Sequence, residues 1–204
     1  MRAVVRTSIA GAALLGLLGT PVGAQESAQK LFEKGAYADA VQRVATERQA
    51  GNNEPVSTYL AAQAQQKLDH DNEAREEYAK LSNSDNEAWH AVGQAAIALL
   101  DNKLDEAASE ARHAVEVNPE LGFAHFQLGL VLSRRNEFAA AAHALDRAAE
   151  LMPDFAYAYY HAGVAYQRAK QFNPMAERFQ TFLKLAPEAP ERRTVQLALN
   201  ALRG

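Results

Sequence analysis

Six histidines, His70, His90, His113, His125, His143 and His161, are the side chains best suited to acid–base or metal chemistry near neutral pH. No two of them share a helix at a spacing of three or four, which one helix face would need to offer two ring nitrogens to a zinc ion. A pair from different helices, such as His125 with His161 or His90, is the arrangement that would bring metal chemistry back. The chain has no cysteine, so thiolate metal sites, iron–sulfur clusters, thiol nucleophiles, disulfides and a lipid-attachment residue all fall away. No glycine-rich phosphate loop, nucleophile elbow or haem-attachment motif occurs. Glu76 and Glu77 are adjacent carboxylates, but the charged stretch from Glu73 to Lys80 reads as a solvated helix face rather than as an acid–base pair. The expectation is a protein without catalysis, cofactor or metal. Lys67, Arg134 and Arg168 remain: they stand near helix ends, where cations are favoured anyway, and they could receive a ligand carboxylate.

Hydrophobic residues make up 48% and charged residues 23% of 204, the balance of a soluble fold rather than of a disordered or polytopic membrane chain. Arg2 and Arg6, an apolar run from Ser8 to Gly19, and the small residues of Val22-Gly23-Ala24 form the order of a secretory signal, with cleavage expected between Ala24 and Gln25. The run is shorter than the roughly 20 residues a spanning helix needs, and Pro21 and Gly23 break it. The alternative is an uncleaved N-terminal anchor. An exported protein, periplasmic or secreted, with no integral span after cleavage, is expected. Removing residues 1–24 takes away two arginines and no acid, leaving 19 basic against 25 acidic residues and a net charge of -6, which offers no electrostatic footprint for nucleic acid.

The later chain repeats with a period of 34. GFAHFQLGLVLSRRNEFAAAAHALDRAAELMPDF is followed by AYAYYHAGVAYQRAKQFNPMAERFQTFLKLAPEA, so that Gly129 falls on Gly163, Phe138 on Phe172, Leu145 on Phe179 and Pro153 on Pro187. Leu104, Ala107 and Pro119 precede Phe138, Ala141 and Pro153 by the same interval. The earlier rows keep less: Ala88-Trp89 and Val92-Gly93 in the third, Ala61-Ala62, Ala74 and Tyr78 in the second, and Leu31, Gly35, Tyr37 and Ala40 in the first. Gly93 comes two residues early relative to Leu104, which predicts a longer first helix in that row.

The pattern resembles the tetratricopeptide repeat: two antiparallel helices with a small residue at their crossing, an aromatic after the turn and a closing proline. The resemblance implies an all-α, right-handed solenoid of about five helix pairs, at 25–55, 56–87, 88–121, 122–155 and 156–189, after a signal at 1–24. Val195, Ala198, Leu199 and Leu202 fall on one helical stripe, so 190–204 is expected to cap the apolar end of the array. Gly129, Gly163, Leu128 and Phe172 are expected to be framework.

In the fourth row His125, Leu128, Gly129 and Leu132 share one helix face, and Phe123, Phe126, Gln127, Leu130 and Arg134 centre on the opposite one. The matching second stripes are Tyr157, Tyr160, His161, Val164 and Arg168 in the fifth row and Tyr59, Gln63 and Lys67 in the second. In the repeat family this side lines the concave groove, so these thirteen residues are the candidate site for a protein or peptide partner, with the three cations forming a basic lane along one rim. Tyrosine suits such an interface because it is wet at one end. The alternative is that the aromatics pack against the next helix of a tightly wound superhelix. Chaperone-binding members of the family hold a carboxylate between paired Lys and Asn, whereas this chain has Phe126, Gln127, Tyr160 and His161, which argues against that partner class. An adaptor is therefore expected. Its rivals are self-association through the same aromatics, giving a homo-oligomer, and an enzyme or metal-binding helical protein with a dispersed site.

Overall fold

The structure is a computed structural model that describes residues 26–202. The expected cleavage site at Ala24 and Gln25 lies outside the described residues. Within them are eleven α-helices and no strand. They run as five antiparallel pairs: α1 (Ala28–Glu33) with α2 (Tyr37–Gln49), α3 (Pro55–Lys67) with α4 (Asp71–Ser82), α5 (Glu87–Leu100) with α6 (Leu104–Val117), α7 (Gly122–Arg134) with α8 (Phe138–Leu151), and α9 (Ala156–Arg168) with α10 (Phe172–Leu185). A final helix, α11 (Arg192–Asn200), packs on α10.

The turn inside each pair is the same device used five times. Gly35, Asp69, Asn102, Asn136 and Lys170 all have φ between 58° and 80°. The residue after each donates its N–H back to the carbonyl five positions earlier, as in Ala36 to Leu31 and Gln171 to Tyr166, both at 2.9 Å. This is the closing bond of a left-handed helix C-terminus, which satisfies carbonyls that the helix leaves unpaired. Only the first turn uses glycine; Asp and Asn tolerate the conformation, and Lys170 accepts its cost. The outer helices α6, α8 and α10 instead end on residues outside the helical region, Asn118, Met152 and Ala186, each followed by a proline that cannot continue the helix.

Small residues set the approach within each pair. A Cβ at Gly129 would meet Leu145 of α8 at 2.4 Å, and one at Gly163 would meet Phe179 of α10 at 2.4 Å. Gly93 does something else. Its added Cβ would meet Ser82 N at 2.5 Å and Tyr78 O at 2.8 Å, so it lets α5 touch the backbone of the preceding helix α4. The position equivalent to Gly129 is Ala95, fully buried, and α5 at 14 residues is one longer than α3, α7 and α9 at 13.

Three expectations are corrected at the C-terminal end and on α4. Phe138 lies under the Arg168 guanidinium, 4.8 Å from its ring centre, but among the described residues no further repeat covers Phe172, which is 48% exposed. Val195 and Leu199 of α11 are buried, whereas Leu202 lies beyond the end of the helix and is exposed. Glu76 is solvated, but Glu77 is not: it accepts from both guanidinium nitrogens of Arg48 on α2 and from Lys80. Burial raises the Glu77 carboxyl and these cations more than reverse it, leaving the group below the usual carboxylate range.

The inner helices α1, α3, α5, α7 and α9 surround a shared aromatic interior. The array also closes on itself, because α1 reaches the far end. Phe32 meets the Tyr157 ring edge-on at 4.9 Å. Glu33, 2% exposed, accepts at Oε1 from Ala156 N at 3.0 Å, capping α9 across 123 positions of sequence. Gln29 donates to the Asp154 carbonyl at 3.0 Å.

Candidate functional site

The thirteen stripe residues divide according to what closes over them. Tyr59, Phe123, Phe126, Gln127 and Tyr157 are buried. Tyr59 stacks at a tilt on Phe123 at 5.1 Å, and Phe126 meets Phe155 edge-on at 5.2 Å, geometries that aromatic quadrupoles favour. The four rings among those five residues are therefore interior packing, sealed by α1 and by the end of the chain. Tyr160 is half-buried against Phe182 at 5.1 Å. Lys67 does not join the basic lane. It ion-pairs with Glu191 at 2.9 Å, and Glu191 also accepts from the Tyr157 hydroxyl at 2.8 Å. Burial raises the Glu191 carboxyl, but Lys67 and Tyr157 outweigh it and hold the group below its ordinary value.

The open end of the same face is a cavity of about 340 Å³. Gln63, Gln127, Leu130, Arg134, His161, Val164 and Arg168 line it, so seven of the thirteen residues do converge. Sequence reasoning missed Gln66, Tyr78, Leu99 and Phe138, which also line it. Tyr78 and Phe138 were legible only as repeat markers, and their place on the second helix of a pair hid their reach into the concave side.

A directed hydrogen-bond chain lies behind the wall. Gln63 Nε2 donates to the Tyr78 hydroxyl at 2.6 Å and to the Tyr59 hydroxyl at 3.3 Å. Tyr78 donates onward to Gln66 Oε1 at 2.7 Å, and Tyr59 to Gln127 Oε1 at 2.7 Å. Burial pushes both phenols above their ordinary pKa, so they remain protonated donors. Gln127 Nε2 is left as a buried donor with no partner. His161 faces Tyr160 at 5.1 Å and Phe126 at 5.5 Å. Burial, helped by the Lys67 charge, lowers its pKa to about 4, so the imidazole is neutral at pH 7. At the mouth, Arg134 donates to Asn102 Oδ1 at 3.3 Å and Arg168 lies over Phe138. Neither has a carboxylate partner among the described residues, and no acidic residue lines the cavity. No group of three or more metal-capable side chains converges among the described residues.

No family profile matches the chain, and no curated protein matches it. Solved structures do. The chain is similar to TTC0263, a thermophilic TPR protein of Thermus thermophilus, with 21% identity over 84% of this chain and 95% of that one, at a TM-score of 0.61. YrrB, a TPR protein with an unusual peptide-binding site, matches at 20% identity over 87% and 89%, with a TM-score of 0.49. MamA matches at 18% over 84% and 98%, with a TM-score of 0.48. The chain has the tetratricopeptide-repeat fold, as its sequence period implied.

Proposed function

We propose that this chain is an exported, non-catalytic adaptor that receives a protein or peptide partner at the open end of its concave face. One observation carries the reading: seven residues from three inner helices meet at a single cavity whose mouth holds two guanidinium groups without carboxylate partners. Neither charge is neutralised by an acid among the described residues, and an approaching acidic or carboxylate-bearing segment would satisfy both. The sealed aromatics contribute rigidity and do not take part in contact. Export is supported by the order of basic, apolar and small residues in Met1 to Ala24, and no helix among the described residues is long and apolar enough to cross a membrane.

Capture from envelope extract tests the first part, comparing wild type with Arg134→Gln/Arg168→Gln and with His143→Ala, an exposed position on α8. The partner should be recovered with wild type and His143→Ala and lost with the arginine pair. Retention by the arginine pair would move the partner to another face. N-terminal sequencing of protein from its native host tests export: the mature chain should begin at Gln25, and intact Arg2 in a membrane fraction would refute cleavage.

A further inference from the structure

The cavity has a polarity along its length that partner capture alone does not require. Gln127 and Arg134 stand seven residues apart on α7, as do His161 and Arg168 on α9. Seven residues are two helical turns, so the members of each pair share a face and lie roughly 10 Å apart along the axis. Leu130 and Val164 come between them on the same wall. The cavity runs from an amide and an imidazole at its deep end, past aliphatic side chains, to two guanidinium groups at its mouth.

Each end dictates what it accepts. Gln63 donates to both tyrosine hydroxyls, and the Tyr59 proton goes to Gln127 Oε1. Reversing the Gln127 amide alone would strand that proton; as placed, Nε2 has no partner although the residue lines the cavity and is 1% exposed. A buried donor left unpaired is costly, and a ligand acceptor removes the cost. A carboxylate is a poor occupant of the deep end, since it would be desolvated among neutral amides, a phenol and a neutral ring with no cation beside it. A carbonyl is a good one. The mouth has the opposite demand, with two cations and no acid among the lining residues.

The geometry points to a binding site for a compact amphiphilic acid, with its carboxylate on Arg134 and Arg168, an aliphatic body along Leu130 and Val164, and a neutral carbonyl two turns deeper that accepts from Gln127 Nε2. A volume of about 340 Å³ stands at the small end of ligand pockets, roughly 300–1,000 Å³, and suits a small molecule better than a folded segment. This goes beyond the adaptor reading, because the site needs no protein partner.

Titration calorimetry on the purified protein with ε-acetamidocaproate tests it, since that probe carries a carboxylate, a methylene chain and a terminal amide carbonyl. Caproate lacks the carbonyl and N-hexylacetamide lacks the carboxylate. ε-Acetamidocaproate should bind, and each truncated compound should bind on the order of tenfold more weakly. Arg134→Gln/Arg168→Gln should weaken ε-acetamidocaproate to the level of N-hexylacetamide and leave N-hexylacetamide unchanged. Gln127→Glu keeps an acceptor for Tyr59 but removes the donor, and should erase the preference for ε-acetamidocaproate over caproate. If Gln127→Glu does not fold, the exposed arginine pair and the three compounds still decide. Absence of binding at millimolar probe, equal binding of all three compounds, or indifference to the arginine pair would overturn the site. The two readings fail separately: arginine-dependent partner capture without probe binding leaves the adaptor alone, and probe binding without capture leaves the small-ligand site alone.

Discussion

The two ends of the concave face are built from the same inner helices, one turn after another along α7 and α9. At one end Phe123, Phe126 and Tyr157 are core, at 6% exposed or less. At the other Leu130, Val164 and the two arginines face an open cavity. The sealed end is aromatic and the open end aliphatic and cationic, but that difference does not by itself close one and leave the other open. What does is a contact between the first repeat and the last: α1 lays Phe32 on Tyr157 and Glu33 on the start of α9, while Lys67 and Glu191 join α3 to the segment before α11. A stripe on a repeat helix becomes core or site according to how the superhelix closes, and closure is decided far away in sequence.

The comparison is broken most forcefully at the sealed end. Phe126→Ala should cost about 3–5 kcal/mol, the range for deleting a fully buried phenylalanine, measured by urea unfolding. Leu130→Ala, one turn along the same helix but half-buried, should cost clearly less. Equal costs would mean that the two ends are not different environments. A second change acts on the closure itself. Glu33→Ala strands the Ala156 N–H, one of the orphan donors of a helix start, and should cost about 1–3 kcal/mol. Hydrogen exchange should quicken in the first turn of α9 and remain unchanged at Leu130 and Arg134. Unaltered exchange around Tyr157 would show that α1 is not what seals the interior.

Acid sharpens the same contrast. The folded protein holds His161 neutral with a pKa of about 4, below the roughly 6.5 of an unfolded histidine. The unfolded chain therefore binds the proton first, so this contribution to stability is complete above about pH 6.5 and declines as pH falls toward the folded value. Glu191 acts in the same direction. Its carboxyl is below the ordinary range, so the stability it lends is present above that range and is lost as pH falls through the lowered value. Wild type should lose roughly 1 to 2 kcal/mol more than His161→Gln between neutral pH and about pH 5. A variant with the same pH profile as wild type would place His161 in solvent.

Much of this was legible from the sequence. The period of 34 gave the helix pairs and the small residues at 129 and 163, because each repeat must bury its face on a neighbour and so restates the same local rules. Gly93 misled for a physical reason: glycine marks any close backbone approach, and here the approach is to α4 rather than to α6. Phe172 repeats Phe138 in sequence but not in setting, since periodicity says nothing about where the array stops. The second stripe was found, but its division was not, because Phe32, Glu33 and Glu191 bear on it from 123 or more positions away or from the opposite terminus. No local pattern carries that information. Gln127 was recognised as a stripe residue, while its unpaired amide depends on a chain of five side chains from three helices.

The smallest predicted effect is the one that most cleanly separates the two ends. Arg134 and Arg168 are exposed and have no carboxylate partner among the described residues, so their removal takes away no ion pair and leaves no buried charge unpaired. Surface changes of this kind usually stay within about 0.5 kcal/mol. Arg168 does cover Phe138, and a cation–π contact at an exposed site is worth about 0.5–1 kcal/mol, but glutamine keeps most of the aliphatic cover. Arg134→Gln/Arg168→Gln should therefore unfold in urea within about 1 kcal/mol of wild type, and its affinity for an anionic ligand should lose most of its salt dependence, because exposed charges are screened over about 8–10 Å at ordinary ionic strength. A large loss of stability would make the arginines part of the framework and would leave the open end with no group reserved for a ligand. Unchanged stability with unchanged salt dependence would place the anion elsewhere on the protein. Only the combination of a native fold and a flattened salt response marks the mouth of the cavity as a surface kept free of structural duty.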